Sequence, residues 1–217
     1  MNDDTTELCA RIRERCLQRQ WYGPDAEEGL SGLSVTADGE AFYDDLPERF
    51  RAGFIRPPLT EPQMQACEAQ LGFSLPPLLR GLYMQVADGG FGPAWGINGL
   101  RDEPADQWGG LVTEYRKLKH HHRLVSLTDL KKRATPDHMI NLPGYVWPER
   151  LLPLCAWGCG IYSSIDARTG QILYLTPGLD NLLLDYTHAS LGDWLEDWLA
   201  GTLTMETRRF DGRHRLG

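Results

Sequence analysis

The chain has 217 residues and a formal net charge of −8. Its 41% hydrophobic and 10% aromatic content is enough for a packed core and excludes a disordered polyelectrolyte. No apolar run approaches the roughly 18 residues needed to cross a bilayer, and the acidic opening Met1-Asn2-Asp3-Asp4 has no apolar stretch of the signal-peptide kind, so the expected location is the cytoplasm.

The charge is unevenly placed. Residues 1–48 carry 12 acidic and 4 basic side chains, whereas residues 49–217 carry 18 of each. A concentrated negative field steers a basic partner toward the protein; it also serves simply as a solubilising face. The five cysteines are odd in number and fit no disulfide framework. Cys155 and Cys159 straddle Trp157 without a second ligand pair at matching spacing, so they read as small buried hydrophobes. No metal and no cofactor is expected.

In chain order, Glu7 to Gln18 predicts a helix with Leu8, Ile12, Cys16 and Leu17 on one side and arginines on the other, broken by Gly23-Pro24. Leu33 and Val35 alternate with polar residues, Asp38-Gly39 offers a turn and Ala41-Phe42-Tyr43 follows, which predicts a small hairpin. Arg56-Pro57-Pro58 is an extended linker. Thr60 and Gln63 form a capping box that opens a helix with Met64, Cys67 and Leu71 on its buried stripe, and Gly72 stops it. Pro76 and Pro77 suit the first turn of the next helix, whose apolar face is Leu78, Leu79, Leu82, Tyr83 and Val86. Asp88-Gly89-Gly90 ends that helix, because glycine takes positive φ without strain.

A polar stretch then leads from Leu100 to Gly110. Leu111 to about His121 predicts a helix buried through Leu111, Tyr115 and Leu118. Leu124 to Asn141 is ambiguous, with Lys131-Lys132-Arg133 exposed. Leu151 to Thr176 reads as a three-stranded meander with turns at Gly158-Cys159-Gly160 and Arg168-Thr169-Gly170. After a loop containing Pro177-Gly178, Ser190 caps a last helix bearing Trp194, Leu195, Trp198 and Leu199, which Gly201 ends. Helices beside a run of antiparallel strands indicate an α+β fold.

The residues Glu68, Leu71, Gly72, Leu75, Pro76, Asp88, Gly89 and Gly90 reproduce a pattern of Glu-x-x-Leu-Gly, then Leu-Pro, then a helix closed by Asn-Gly-Gly. In this order the chain resembles the SMI1/KNR4 family, also called the SUKH superfamily, with Asp88 in place of the usual asparagine. The resemblance continues through Leu151-Leu152-Pro153-Leu154 and the tryptophan-rich helix, and covers about Thr60 to Leu203. It implies a mixed, largely antiparallel sheet with helices packed around it. The expected organisation is an acidic extension over residues 1–58, the family domain over residues 59–203 and a polar tail over residues 204–217.

No Gly-x-Ser-x-Gly elbow, phosphate-binding loop or His-Glu-x-x-His motif is present. Gly89, Gly90 and Gly92 follow a helix, not a strand, which rejects a dinucleotide loop. His120-His121-His122 are successive on a helix and point about 100° apart, so they read as a cationic helix C-terminus. Asp102, Glu103 and Asp106 lie in a polar loop beside Trp95 and Trp108, an arrangement suited to a binding surface, since aromatic anchors and acidic rims give affinity and orientation. With Asp25, Glu27, Glu28, Asp44 and Asp45 of the acidic segment they are the candidate partner-binding residues; the competing reading places both tryptophans in the core. A hydrolase acting through Asp102, Glu103, Asp106 or His138 has no positive support.

The resemblance implies a protein without catalysis. Many bacterial SUKH proteins look like immunity proteins that neutralise a cognate toxin, often a nuclease or nucleic-acid deaminase with a basic substrate site. The expected partner is therefore a protein with a basic surface, not nucleic acid or membrane. A regulatory adaptor of the SMI1/KNR4 kind is the alternative. The oligomeric state and the partner's identity are not legible in the sequence.

Overall fold

A computed structural model describes residues 3–17, 56–93, 96–102, 110–132, 140–158, 161–177 and 181–203. The expected hairpin between Leu33 and Tyr43 lies outside the described residues. Helix α1 (Asp3–Leu17) begins four residues earlier than the apolar periodicity indicates. It buries Leu8, Cys9 and Ile12 against the rest of the domain. Its polar side makes a two-point contact, Arg11 donating to both carboxylate oxygens of Glu196 at 2.7 and 2.8 Å.

Helices α2 (Glu61–Leu71) and α3 (Pro77–Gln85) form where the sequence places them. Thr60 donates its N–H and its hydroxyl to Gln63 Oε1, each at 2.9 Å. Gly72 closes α2 in the left-handed region at φ 84°. Glu68 then reaches over that turn, accepting the Leu75 N–H at 2.8 Å, and sets the short path into α3. Met64, Cys67 and Leu71 of α2 and Leu79, Leu82 and Tyr83 of α3 face the core.

The remaining elements are α4 (Leu111–His121), β1 (Arg123–Val125), α5 (Leu127–Lys131), β2 (Ile140–Pro143), β3 (Val146–Pro148), β4 (Leu151–Gly158), β5 (Ile161–Asp166), β6 (Ile172–Pro177), β7 (Asn181–His188) and α6 (Leu191–Ala200). A five-stranded antiparallel sheet runs in the order β2-β7-β6-β5-β4, and β1 pairs with β3 in parallel as a separate two-stranded unit. The fold is α+β, with helices against a largely antiparallel sheet. Pro153 sits in the edge strand β4 beside a register shift, where its missing N–H leaves no gap inside the sheet.

The sheet is larger than the expected three-stranded meander. Residues 181–188, expected as loop, form β7, and the ambiguous Leu124–Asn141 region holds β1, α5 and the start of β2. Leu182-Leu183-Leu184 has no β-branched residue, so its extended state comes from pairing with β6 and β2 on either side. The helices and sheet share one apolar cluster, which includes fully buried Trp194 and Trp198 of α6.

Candidate functional site

Between α3 and α4 the chain doubles back on itself around one carboxylate. Asp88 is fully buried and accepts the Leu100 N–H at 2.7 Å and Arg101 Nε at 3.0 Å. Arg56 donates through Nε to the Asp88 carbonyl at 2.6 Å and keeps the same nitrogen 3.8 Å from the carboxylate. A buried charge stays ionised only when compensated, and the two arginines supply that compensation. Gly89 and Gly99 make the crossing possible: a Cβ on Gly89, at φ 91°, would lie 2.4 Å from the Gly99 nitrogen, and one on Gly99 would overlap the Arg56 guanidinium. The returning strand of this loop is tied down through Asn98, whose N–H donates to Leu154 O at 2.7 Å and whose side chain donates to Pro153 O at 3.0 Å. Tyr83 donates its hydroxyl to Asn98 O at 2.6 Å, and burial pushes its phenol well above the ordinary range.

This knot delivers Asp102 to the start of α4. Asp102 Oδ1 accepts the Gly110 N–H at 2.6 Å and Oδ2 accepts the Thr113 hydroxyl at 2.5 Å. A carboxylate here satisfies orphan donors and meets the positive end of the helix dipole. Helix α4 is then clamped through buried Leu111, Val112 and Tyr115. The Tyr115 ring stands edge-on to Phe73 at 5.5 Å, and its hydroxyl accepts the Arg150 N–H at 3.1 Å. With one side clamped, the other is presented to solvent: Arg116, Lys117, Lys119, His120 and His121 are all exposed. Together with Thr113 and with Gln70 of α2 they line an open groove of about 630 Å³.

Of the residues expected to meet a partner, Asp102 is described: it is exposed, with both oxygens engaged at the head of α4. Trp95, Glu103, Asp106 and Trp108, like Asp25, Glu27, Glu28, Asp44, Asp45 and His138, lie outside the described residues. The basic groove is the feature that sequence reasoning passed over. Its signal was the run of basic residues from Arg116 to His122, legible only as a helix end until Gln70 of α2 is brought alongside. The helix ends at His122, whose Nδ1 lies 3.0 Å from Leu118 O and whose ring is 6.1 Å from that of Trp147.

Asp166 and Ser163, also buried, are held in structural contacts. Asp166 closes the turn after β5, accepting the Arg168 N–H at 3.0 Å and the Thr169 hydroxyl at 2.9 Å. Ser163 accepts from Trp157 Nε1 at 2.7 Å. Burial pushes the Cys155 thiol up to about 12, against the hydrogen bonding of Ser163, so no thiolate forms there near neutrality. Among the described residues, no three of His, Cys, Asp and Glu gather where they could hold a metal ion. Also among them, no helix is long and apolar enough to cross a membrane.

These observations define a class: an α+β domain in which a buried Asp-Gly-Gly turn and a Glu-capped Leu-Gly turn hold helices onto an antiparallel sheet. The chain belongs to the SMI1/KNR4 family (SUKH-1), whose family model matches residues 58–197. A comparison with curated proteins finds no match.

Proposed function

We propose that the protein is a non-catalytic binding domain, a bacterial immunity protein that captures a cognate toxin and blocks its substrate site. The observation that carries this reading is the use made of the family's own motif. Glu68, Leu71, Gly72, Leu75, Asp88 and Gly89 serve packing, turns and charge compensation (each in a contact given above). What distinguishes one member from another therefore lies on its surface, where binding specificity resides.

The partner in this reading carries a basic surface, as an enzyme acting on nucleic acid does. It is met by Asp25, Glu27, Glu28, Asp44 and Asp45 together with the loop bearing Trp95, Asp102, Glu103, Asp106 and Trp108. The negative field of the first 48 residues accelerates encounter, and the tryptophans supply the desolvated anchors. The test is co-purification of the tagged full chain with the product of the adjacent upstream gene, at low and high salt. A stoichiometric complex that weakens as salt rises supports the reading. A complex indifferent to salt rejects the electrostatic mode, and no complex at either salt rejects the partnership.

A further inference from the structure

The acidic residues of the proposed function leave the groove between α2 and α4 without a role, and its charge has the opposite sign. Among the described residues, no carboxylate lies within ion-pair distance of Arg116 or Lys119. The Arg116 guanidinium instead reaches the neutral Gln70 Oε1 at 3.4 Å. Among the described residues, Lys117 alone on this face is matched, by Glu114 at 2.6 Å. Elsewhere Arg11, Arg101 and Lys132 sit against carboxylates. This exposed helix face thus carries two cations, Arg116 and Lys119, with no carboxylate partner among the described residues, in a chain whose net charge is −8.

We propose that this groove is a docking site for an acidic polypeptide segment of a partner protein, its carboxylates taken by Arg116 and Lys119 and by the ring N–H groups of His120 and His121. The planar guanidinium fork matches a carboxylate at two points. The histidine rings, edge-on to each other at 4.9 Å, add donors at the groove's far end. Docking orders little on the protein's side, because α4 is already clamped by Asp102, Tyr115 and the core. The same geometry argues against nucleic acid. Among the described residues, no Phe, Tyr or Trp lines the groove to stack a base.

The experiment uses the full-length protein, isotopically labelled for NMR, titrated with a short Glu-Ser repeat peptide, with a Lys-Ser repeat of equal length and with an oligothymidylate. The expected result is saturable shifts on α4 and at Gln70 with the Glu-Ser peptide alone, reversed by salt. The double substitution Arg116→Glu and Lys119→Glu should weaken binding at least about tenfold, as charge reversal at a complementary contact does, while Lys132→Glu leaves it unchanged. Circular dichroism checks the double variant, and Lys119→Gln alone serves if that variant misfolds. Absence of saturable shifts, shifts centred on Lys131 and Lys132, or tighter binding of the oligothymidylate would each overturn the assignment. None of these outcomes depends on whether the protein neutralises a toxin.

Discussion

Asp88 shows how one side chain can hold a loop and a helix together. An asparagine there would still accept the Leu100 N–H, but it would bring no charge to Arg56 and Arg101. Those side chains are 14% and 34% exposed, so water offsets part of the loss. Asp88→Asn should therefore lower stability by about 1–3 kcal/mol, less than removal of a partner from a fully buried pair; the denaturant midpoint measures it. Gly89→Ala should be worse, about 3 kcal/mol or more, because positive φ strain adds to backbone overlap with Gly99. In native protein, Cys9, Cys67 and Cys155 should resist a thiol reagent at pH 8 and become reactive in denaturant, since burial raises all three thiols. A hydrogen bond from Arg80, followed by one from Gln65, holds Glu61 below the ordinary carboxylate range. Its contribution is present above the unfolded value near about 4.3 and fades as pH falls through the folded one. Arg80→Gln should flatten that acid-side loss, read as unfolding midpoints at successive pH values from neutral downward.

At the scale of elements, α1 is a helix outside the matched family region that nevertheless shares the domain's core. Leu8, Cys9 and Ile12 meet the cluster that contains Trp194 and Trp198. Arg15 donates to Leu199 O at 2.9 Å, at the end of α6, and lies over the Trp198 ring at 4.7 Å. Cations favour that helix terminus because its carbonyls carry the negative end of the dipole. Ile12→Ala should cost about 2–4 kcal/mol by leaving a cavity, whereas Arg11→Ala, at an exposed pair, should cost less than about 1 kcal/mol. Thermal unfolding of the two variants separates packing from surface charge; equal effects would mean that α1 is held chiefly by its salt bridge. Strand β7 makes a different point: its ladder bonds to β6 and β2 hold Leu182-Leu183-Leu184 extended, although those residues also suit a helix.

The whole molecule combines a negative first quarter with a basic groove on α4. In the proposed immunity role, reversing Asp25, Glu27, Glu28, Asp44 and Asp45 together should slow toxin association by about tenfold or more at low salt and by much less at high salt, since screening removes steering. Stopped-flow association rates test this directly. The charge-reversed groove variant should not slow that association, and at low salt should speed it modestly, because two reversals to glutamate make the chain more negative.

Much of the fold was legible because local chemistry and tertiary context agree: Gly72 and Gly201 end their helices in the left-handed region, Ser190 accepts the Asp193 N–H at the head of α6, and the i, i+4 tryptophans are core. Asp88-Gly89-Gly90 was legible as a turn but not as a buried charge, since Arg56 and Arg101 approach it from 32 residues before and 13 residues after. Likewise Asp102 read as part of a wet acidic loop, while its place at the head of α4 depends on how the chain returns at Gly110. By itself the sequence determined five of the six described helices, their caps, the three strands β4, β5 and β6 and the family, because each rests on neighbours a few residues apart. Only the tertiary structure decided the full sheet, the compensation of Asp88 and the groove between Gln70 and Arg116, because each joins groups whose separation along the chain carries no local signal.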